Sequence, residues 1–189
     1  MPESIAQALS AGLRERGLAI CLSGIDGSGK TTLALQLVGR LTAAGLPARY
    51  LHLYQWYVNL LAVPLLLLYN RYFDRKVLIF DRSFFDNIAV AALSPRCPRW
   101  LPVGILRVAL AFYPRFDYRF YLFADYDETL RRRPDTSEQR YAAMTSAYGW
   151  ITSRARHIPL RSDAMLFDRV LRIVAGSGND CGSFSMESR

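Results

Sequence analysis

The stretch Ser23-Gly24-Ile25-Asp26-Gly27-Ser28-Gly29-Lys30-Thr31-Thr32 decides how this chain is read. It matches G-x-x-x-x-G-K-[ST], the Walker A pattern, and each position has a physical reason. Gly24, Gly27 and Gly29 have no side chain to hold a ligand away from the backbone. The N–H groups of Gly24, Asp26, Gly27, Ser28, Gly29, Lys30, Thr31 and Thr32 can therefore line one concave anion site, the expected ATP-binding loop. Lys30 adds a full positive charge that reaches the β- and γ-phosphates, and the Thr31 hydroxyl is suited to ligate the Mg²⁺ that a nucleoside triphosphate carries.

The flanks fit the same reading. Leu18-Ala19-Ile20-Cys21-Leu22 is a short apolar run of the kind that forms a buried parallel strand. Leu33 to Val38, continuing to Leu41, places apolar residues at helical spacing. Strand, glycine loop and helix follow in the order the chemistry needs, because the helix N-terminus adds its positive dipole to the anion site.

A chain of 189 residues with 51% hydrophobic content is expected to form one soluble domain with a sizeable core. Its formal charge of +8 comes almost wholly from arginine, since Lys30 and Lys76 are the only lysines. That balance suits phosphorylated small molecules; no arginine run is long enough to read as a nucleic-acid tail. Cys21, Cys97 and Cys181 are odd in number and widely spaced, which makes a reducing cytoplasm the default. Val58 to Tyr69 is too short to span a bilayer and contains Pro64, while Trp100 to Tyr113 is interrupted by Arg107. Both read as core helices, with a peripheral membrane contact left open.

Along the chain, residues 4 to 16 place Ile5, Ala8, Leu9 and Leu13 on one helical face, with Ser4 available as a cap. Residues 1–17 are thus read as an N-terminal packing helix and 18–175 as the nucleotide-binding domain. Residues 176–189 are read as a disordered tail, having no apolar period. Ala48 to Tyr54 reads as the second strand, and Trp56 to Arg71 as a helix broken or kinked at Pro64. Lys76 to Phe80 is the clearest strand after the first and delivers Asp81-Arg82 at its carboxyl end, where ligands sit in open parallel sheets. A helix over 84–93, a loop over 94–102, a helix over 103–112 and a strand over 118–124 follow. Two helices, 127–133 and 137 to about 154, are separated by Pro134, and Val170 to Ala175 is the expected last strand. Alternating strands and helices predict an α/β, three-layer fold: a five-stranded parallel sheet with helices on both faces.

The stretches GIDGSGKTT, VLIFDRSFFD and RRRPD together resemble thymidylate kinase and its relatives, P-loop nucleoside monophosphate kinases, over roughly Leu18 to Ala175. The resemblance implies a mobile arginine-bearing lid that closes over ATP, and passage of the γ-phosphoryl group to a monophosphate. Carried over where the motif matches, it makes Asp26 an acidic residue beside the acceptor and Asp81 an aspartate near Mg²⁺. It makes Arg82 the arginine that holds the acceptor phosphate, and Arg132 and Arg133 the lid arginines. Lys30, Asp26, Arg82, Arg132 and Arg133 are the catalytic set so implied, with Thr31 and Asp81 as metal ligands. The family's arginine-proline-glycine-glycine stretch is replaced by His52-Leu53-Tyr54-Gln55-Trp56, the helical segment before the third strand is shorter, and no helix is expected after the last strand.

Each residue also has a plainer reading. Asp81-Arg82 would serve as a charged strand end, and arginines 131 to 133 as a solvated helix end complementing the dipole. His52 is read as a hydrogen-bonded structural residue in preference to a general base. Tyr54, Trp56, Tyr57, Phe84 and Phe85 are read as core before acceptor-stacking residues. The leading function is Mg-ATP-dependent phosphoryl transfer to a nucleoside monophosphate-like acceptor, with ATP and a phosphorylated small molecule as partners and a homodimer left open. The alternative is a P-loop nucleotide-binding regulatory or interaction module. No Asn-Lys-x-Asp motif marks a guanine-reading switch.

Overall fold

The computed structural model describes residues 3–52, 56–82, 84–94, 97–98, 100–112 and 116–176. The tail beyond Gly176, Tyr54 and Gln55, and the side chains of Ser4, Trp56 and Tyr57 lie outside the residues and side chains described.

Strand β1, Leu18–Gly24, is buried along almost its whole length, which is why it carries an uninterrupted apolar run rather than an alternating one. It pairs in parallel with β3, Val77–Asp81, on one side and with β4, Tyr118–Phe123, on the other. Strand β2, Ala48–His52, extends the sheet beyond β3, and β5, Ile158–Arg161, extends it beyond β4. The order is β2-β3-β1-β4-β5, all parallel. Leu22 stands opposite Asp81, Asp81 opposite His52, and Gly24 opposite Leu122, so the functional ends of these strands finish together.

Strand residues alternate between two cores, and the helices sort accordingly. On one face, Ala19, Cys21, Leu78, Phe80 and Tyr121 meet α3 (Trp56–Tyr69), α4 (Phe84–Leu93), α5 (Trp100–Phe112) and α7 (Glu138–Ala155). On the other, Ile20, Leu22, Ile79, Phe120 and Leu122 meet α1 (Glu3–Glu15), α2 (Lys30–Ala43) and α8 (Leu166–Val174). The short helix α6, Tyr126–Arg132, lies between β4 and α7. This is the three-layer arrangement expected, with five strands among the described residues.

Several boundaries differ from expectation. Val170 to Val174 is helical, with Ala175 as the C-cap: Leu166, Val170, Leu171 and Val174 are buried on one side of α8, a helical spacing that five apolar residues in six had disguised as a strand. The last strand is instead Ile158–Arg161, only four residues long and containing Pro159, which edge strands tolerate. A helix after the last strand is therefore present. Helix α5 starts at Trp100, with Pro102 in its first turn, where a missing N–H costs nothing. Helix α3 runs through Pro64 to Tyr69 and passes into a π-helical turn, Asn70–Asp74. Buried Asn70 fixes that turn by accepting from the Lys76 amide at 2.9 Å and donating to the Lys76 carbonyl at 2.9 Å. Phe84 and Phe85 are core residues. Among the described residues no helix is long and apolar enough to cross a membrane.

His157 enters β5 with its ring in this core, edge-on to Phe85, and neither ring nitrogen meets a hydrogen-bond partner. Burial, reinforced by the nearby Arg119 charge, pushes its pKa down to about 3. The folded value lies below the unfolded one, so the stability that this residue contributes is full above its unfolded pKa and is lost as pH falls toward 3. Between pH 7 and pH 5 that loss is expected to be about 2 kcal/mol. Urea denaturation at both pH values, on wild type and His157→Leu, checks it: the variant should lose most of this pH dependence.

Candidate functional site

The loop between β1 and α2 contains three glycines with positive φ, Gly24, Gly27 and Gly29. Gly24 has φ 150°, and a Cβ there would stand 2.2 Å from the Leu122 carbonyl oxygen, so β1 and β4 pack too closely for any side chain. Gly29 starts α2 in a left-handed conformation, φ 83°, and no side chain caps the helix there. An uncapped helix start beneath a turn of amides is a natural anion site.

Lys30 is only 5% exposed. Its Nζ donates to the carbonyls of Gly24 and Ile25, both at 2.7 Å, and to Ser28 Oγ at 3.5 Å. Burial draws the ammonium below its ordinary pKa, while the carboxylates of Asp86 and Asp26 oppose that shift.

At the end of β3, Asp81 is wholly buried. Its Oδ2 accepts from Thr31 Oγ1 at 2.5 Å and from the Tyr50 hydroxyl at 3.0 Å, and lies 3.2 Å from His52 Nδ1. Its Oδ1 has no hydrogen-bond partner. A fully buried carboxylate oxygen left without a donor is costly unless something else approaches it. Thr31 and Asp81 together offer hard oxygen donors, and Mg²⁺ fits them. Among the described residues no group of three or more His, Cys, Asp or Glu could hold a metal.

The next residue, Arg82, takes φ 73°, a backbone that side chains rarely adopt. Its Nη2 bonds Asp26 Oδ1 at 2.5 Å, so the loop and the end of β3 are bridged by a half-exposed ion pair. From the other side, Arg132 at the end of α6 donates to the Gly27 carbonyl at 3.0 Å and to Ser162 Oγ at 3.1 Å. Arg133 passes within 3.4 Å of where a Cβ on Gly27 would stand. Asp26, Lys30, Thr31, Asp81, Arg82, Arg132 and Arg133 thus converge on one end of the sheet. Beside them a groove of about 410 Å³ runs from Gly29 and Thr32 past Arg132 and Ser162 to Phe167.

Tyr50 and Asp86 are not singled out by the sequence, and His52 reads there as a hydrogen-bonded structural residue in preference to a general base; the structure brings all three to the site. His52 and Tyr50 are readable only once β2 is known to end beside Asp81. Asp86 lies 2% exposed in the first turn of α4, in contact with Ser23, Gly24 and Tyr148. Its signal, the one charged residue in the largely apolar stretch FFDNIAVAA, is a charge where a buried helix needs none.

No family model matches the chain, and comparison with curated proteins returned no match. Among solved structures, a thymidylate kinase from Candida albicans aligns with a TM-score of 0.62 at 16% identity, over 86% of this chain and 91% of that one. A deoxyadenosine kinase from M. mycoides with bound dCTP aligns at 0.56 and 13% identity, over 84% of this chain and 100% of that one. A putative polyphosphate kinase 2 from Pseudomonas aeruginosa PA01 aligns at 0.60 and 19% identity, over 92% of this chain and 45% of that one. The chain has the fold of P-loop kinases.

The Asp81 environment yields a direct test. Asp81→Asn keeps the shape and loses the charge, so nucleotide binding without metal should be unchanged. The Mg²⁺ concentration for half-maximal tightening should rise roughly tenfold. Calorimetry at fixed ATP across a Mg²⁺ series measures it, and equal midpoints would reduce Asp81 to a strand end.

Proposed function

We propose that this protein transfers the γ-phosphoryl group of ATP, with Mg²⁺, to a nucleoside monophosphate-like acceptor. The observation that carries the reading is the meeting of a buried lysine, a Thr31–Asp81 pair and an Arg82–Asp26 pair at the ends of adjacent strands β1 and β3. The name of one fold neighbour, thymidylate kinase, points to a monophosphate acceptor, whereas that of another, deoxyadenosine kinase, supports phosphoryl transfer with a nucleoside as acceptor.

The loop amides and Lys30 would hold the β- and γ-phosphates, with phosphate oxygens replacing the Gly24 and Ile25 carbonyls as partners of Nζ. The groove beside Gly29 and Thr32 would take the nucleoside end. Mg²⁺, held by Thr31 and Asp81, would neutralise charge on the phosphates. Arg82 would hold the acceptor phosphate with Asp26 beside it, and Arg132 and Arg133 would close over the transferring group. An acceptor phosphate oxygen attacks the γ-phosphorus, the bond to the β–γ bridging oxygen breaks, and ADP leaves. The residues act by position and charge rather than by a covalent intermediate. A homodimer would cover the exposed stripe Leu65, Leu68, Tyr69, Tyr72 and Phe73 on α3 and the turn after it, and sedimentation velocity reads that directly.

Arg82 separates this reading from a nucleotide-binding module. Its guanidinium suits a terminal phosphate in a two-pronged grip that lysine cannot reproduce. Arg82→Lys should raise the acceptor KM about ten- to a hundredfold, corresponding to roughly 1.5–3 kcal/mol, with the ATP KM nearly unchanged. Initial rates against a panel of monophosphates, nucleosides and sugars at saturating Mg-ATP provide the measurement. If the wild type binds ATP yet phosphorylates none of them, the binding module takes the lead.

A further inference from the structure

Asp86 has no place among the groups expected to touch ATP, the metal or the acceptor, yet it is among the best-connected buried charges near the loop. One carboxylate oxygen accepts from Ser23 Oγ at 2.9 Å. The other accepts from the Tyr148 hydroxyl at 2.7 Å and from the Gly24 amide at 3.3 Å. These three donors come from the end of β1, the first residue of the phosphate loop, and α7. Asp86 itself sits in the first turn of α4, where the helix dipole favours a negative charge.

The three described partners, Ser23, Gly24 and Tyr148, are all donors, a set that an acceptor-only side chain such as an ionised carboxylate fits. Tyr148 is held as a donor, because burial pushes its phenol well above the ordinary value and the Asp86 charge pushes it further. Gly24 is pinned from both sides: the Leu122 carbonyl blocks any movement toward β4, while Asp86 holds its amide. The carbonyl of the same residue receives Lys30. A shift of Gly24 would therefore carry the loop and the lysine with it.

We propose that Asp86 is a positioning residue for phosphoryl transfer, clamping Ser23 and Gly24 from behind so that the loop amides and Lys30 meet the phosphates in register. This inference rests on the kinase reading of the loop. It assigns Asp86 no contact with substrate. Asp86 is also first among the carboxylates that offset the burial of the Lys30 ammonium, in keeping with a charge built into the floor of the site.

The test compares wild type with Asp86→Asn, Ser23→Ala and Tyr148→Phe, each at a temperature where circular dichroism shows it folded. The carboxamide in Asp86→Asn turns one acceptor into a donor facing donors. We expect kcat to fall about a hundredfold, the cost of a reacting group displaced by about 1 Å, with KM for ATP changed far less. Adding Ser23→Ala to Asp86→Asn should slow the reaction no further, because both changes break one linkage. In ¹⁵N-glycine-labelled protein the Gly24 amide should exchange at least about tenfold faster in Asp86→Asn, with Gly39 on α2 as the unaffected reference.

A folded Asp86→Asn with wild-type kcat, an unchanged Gly24 amide, or additive effects in the double variant would each overturn the proposal. If Asp86→Asn does not fold, Ser23→Ala and Tyr148→Phe carry the comparison, and no change in either kcat or Gly24 exchange overturns it. Wild-type behaviour separates the two readings. Should wild type bind ATP but transfer nothing, the kinase reading fails, while ATP affinity and Gly24 exchange in the variants still decide whether Asp86 positions the loop. Should wild type bind no nucleotide, both fall together.

Discussion

Everything in this site depends on keeping one ammonium group charged inside a protein. Lys30 Nζ is buried, and a buried charge is tolerated only where hydrogen bonds and countercharges replace water. Two loop carbonyls supply the bonds, and the carboxylates of Asp86 and Asp26 supply the countercharge. The first of those carbonyls belongs to Gly24, where β1 approaches β4 so closely that a Cβ would stand 2.2 Å from the Leu122 carbonyl oxygen. The glycine, the lysine and the two acids form one unit.

The sheet order explains why acids arrive at that unit from more than one element. β1 lies at the centre with β3 beside it, so the residue ending β3 is brought against the helix that starts after the loop. Thr31 and Asp81, fifty residues apart, become hydrogen-bond partners by register alone. One residue further on, Arg82 takes a left-handed backbone conformation and reaches back to Asp26. Strain of that kind persists where the surroundings over-determine it, and here a backbone bond to Leu22 and the ion pair do so.

What was legible in the sequence follows the same logic. The glycine-rich loop, its flanking strand and helix, and the Lys76–Asp81 strand were readable because each is specified locally by conformational need and apolar runs. The α8 helix and the Ile158–Arg161 strand were not, because both are short and their patterns are ambiguous: VLRIVA satisfies a strand as well as a helix, and Pro159 speaks against a strand. Asp81 and Arg82 could be placed from a strand end, whereas Asp86, Tyr50 and Tyr148 acquire their roles only through tertiary contacts between elements distant in sequence. No local period encodes such contacts. Phe84 and Phe85, open to two readings as aromatics beside a charged turn, proved to be core once α4 packed on the sheet.

The contacts on the two sides of the loop differ in strength, and that difference has a functional consequence. Beneath the loop, Asp86 joins Ser23, Gly24 and Tyr148 out of reach of water, where leaving a donor unpaired costs about 1–3 kcal/mol. Above it, Arg132 reaches Gly27 and Ser162 from an exposed helix end and pairs with Glu128 one turn away. Exposed ion pairs of that kind are worth about 0–1 kcal/mol. Breaking the Arg132 contacts is therefore cheap, whereas moving the floor is expensive. If the protein transfers a phosphoryl group as proposed, this asymmetry would leave mobility to Arg132 and rigidity to Asp86.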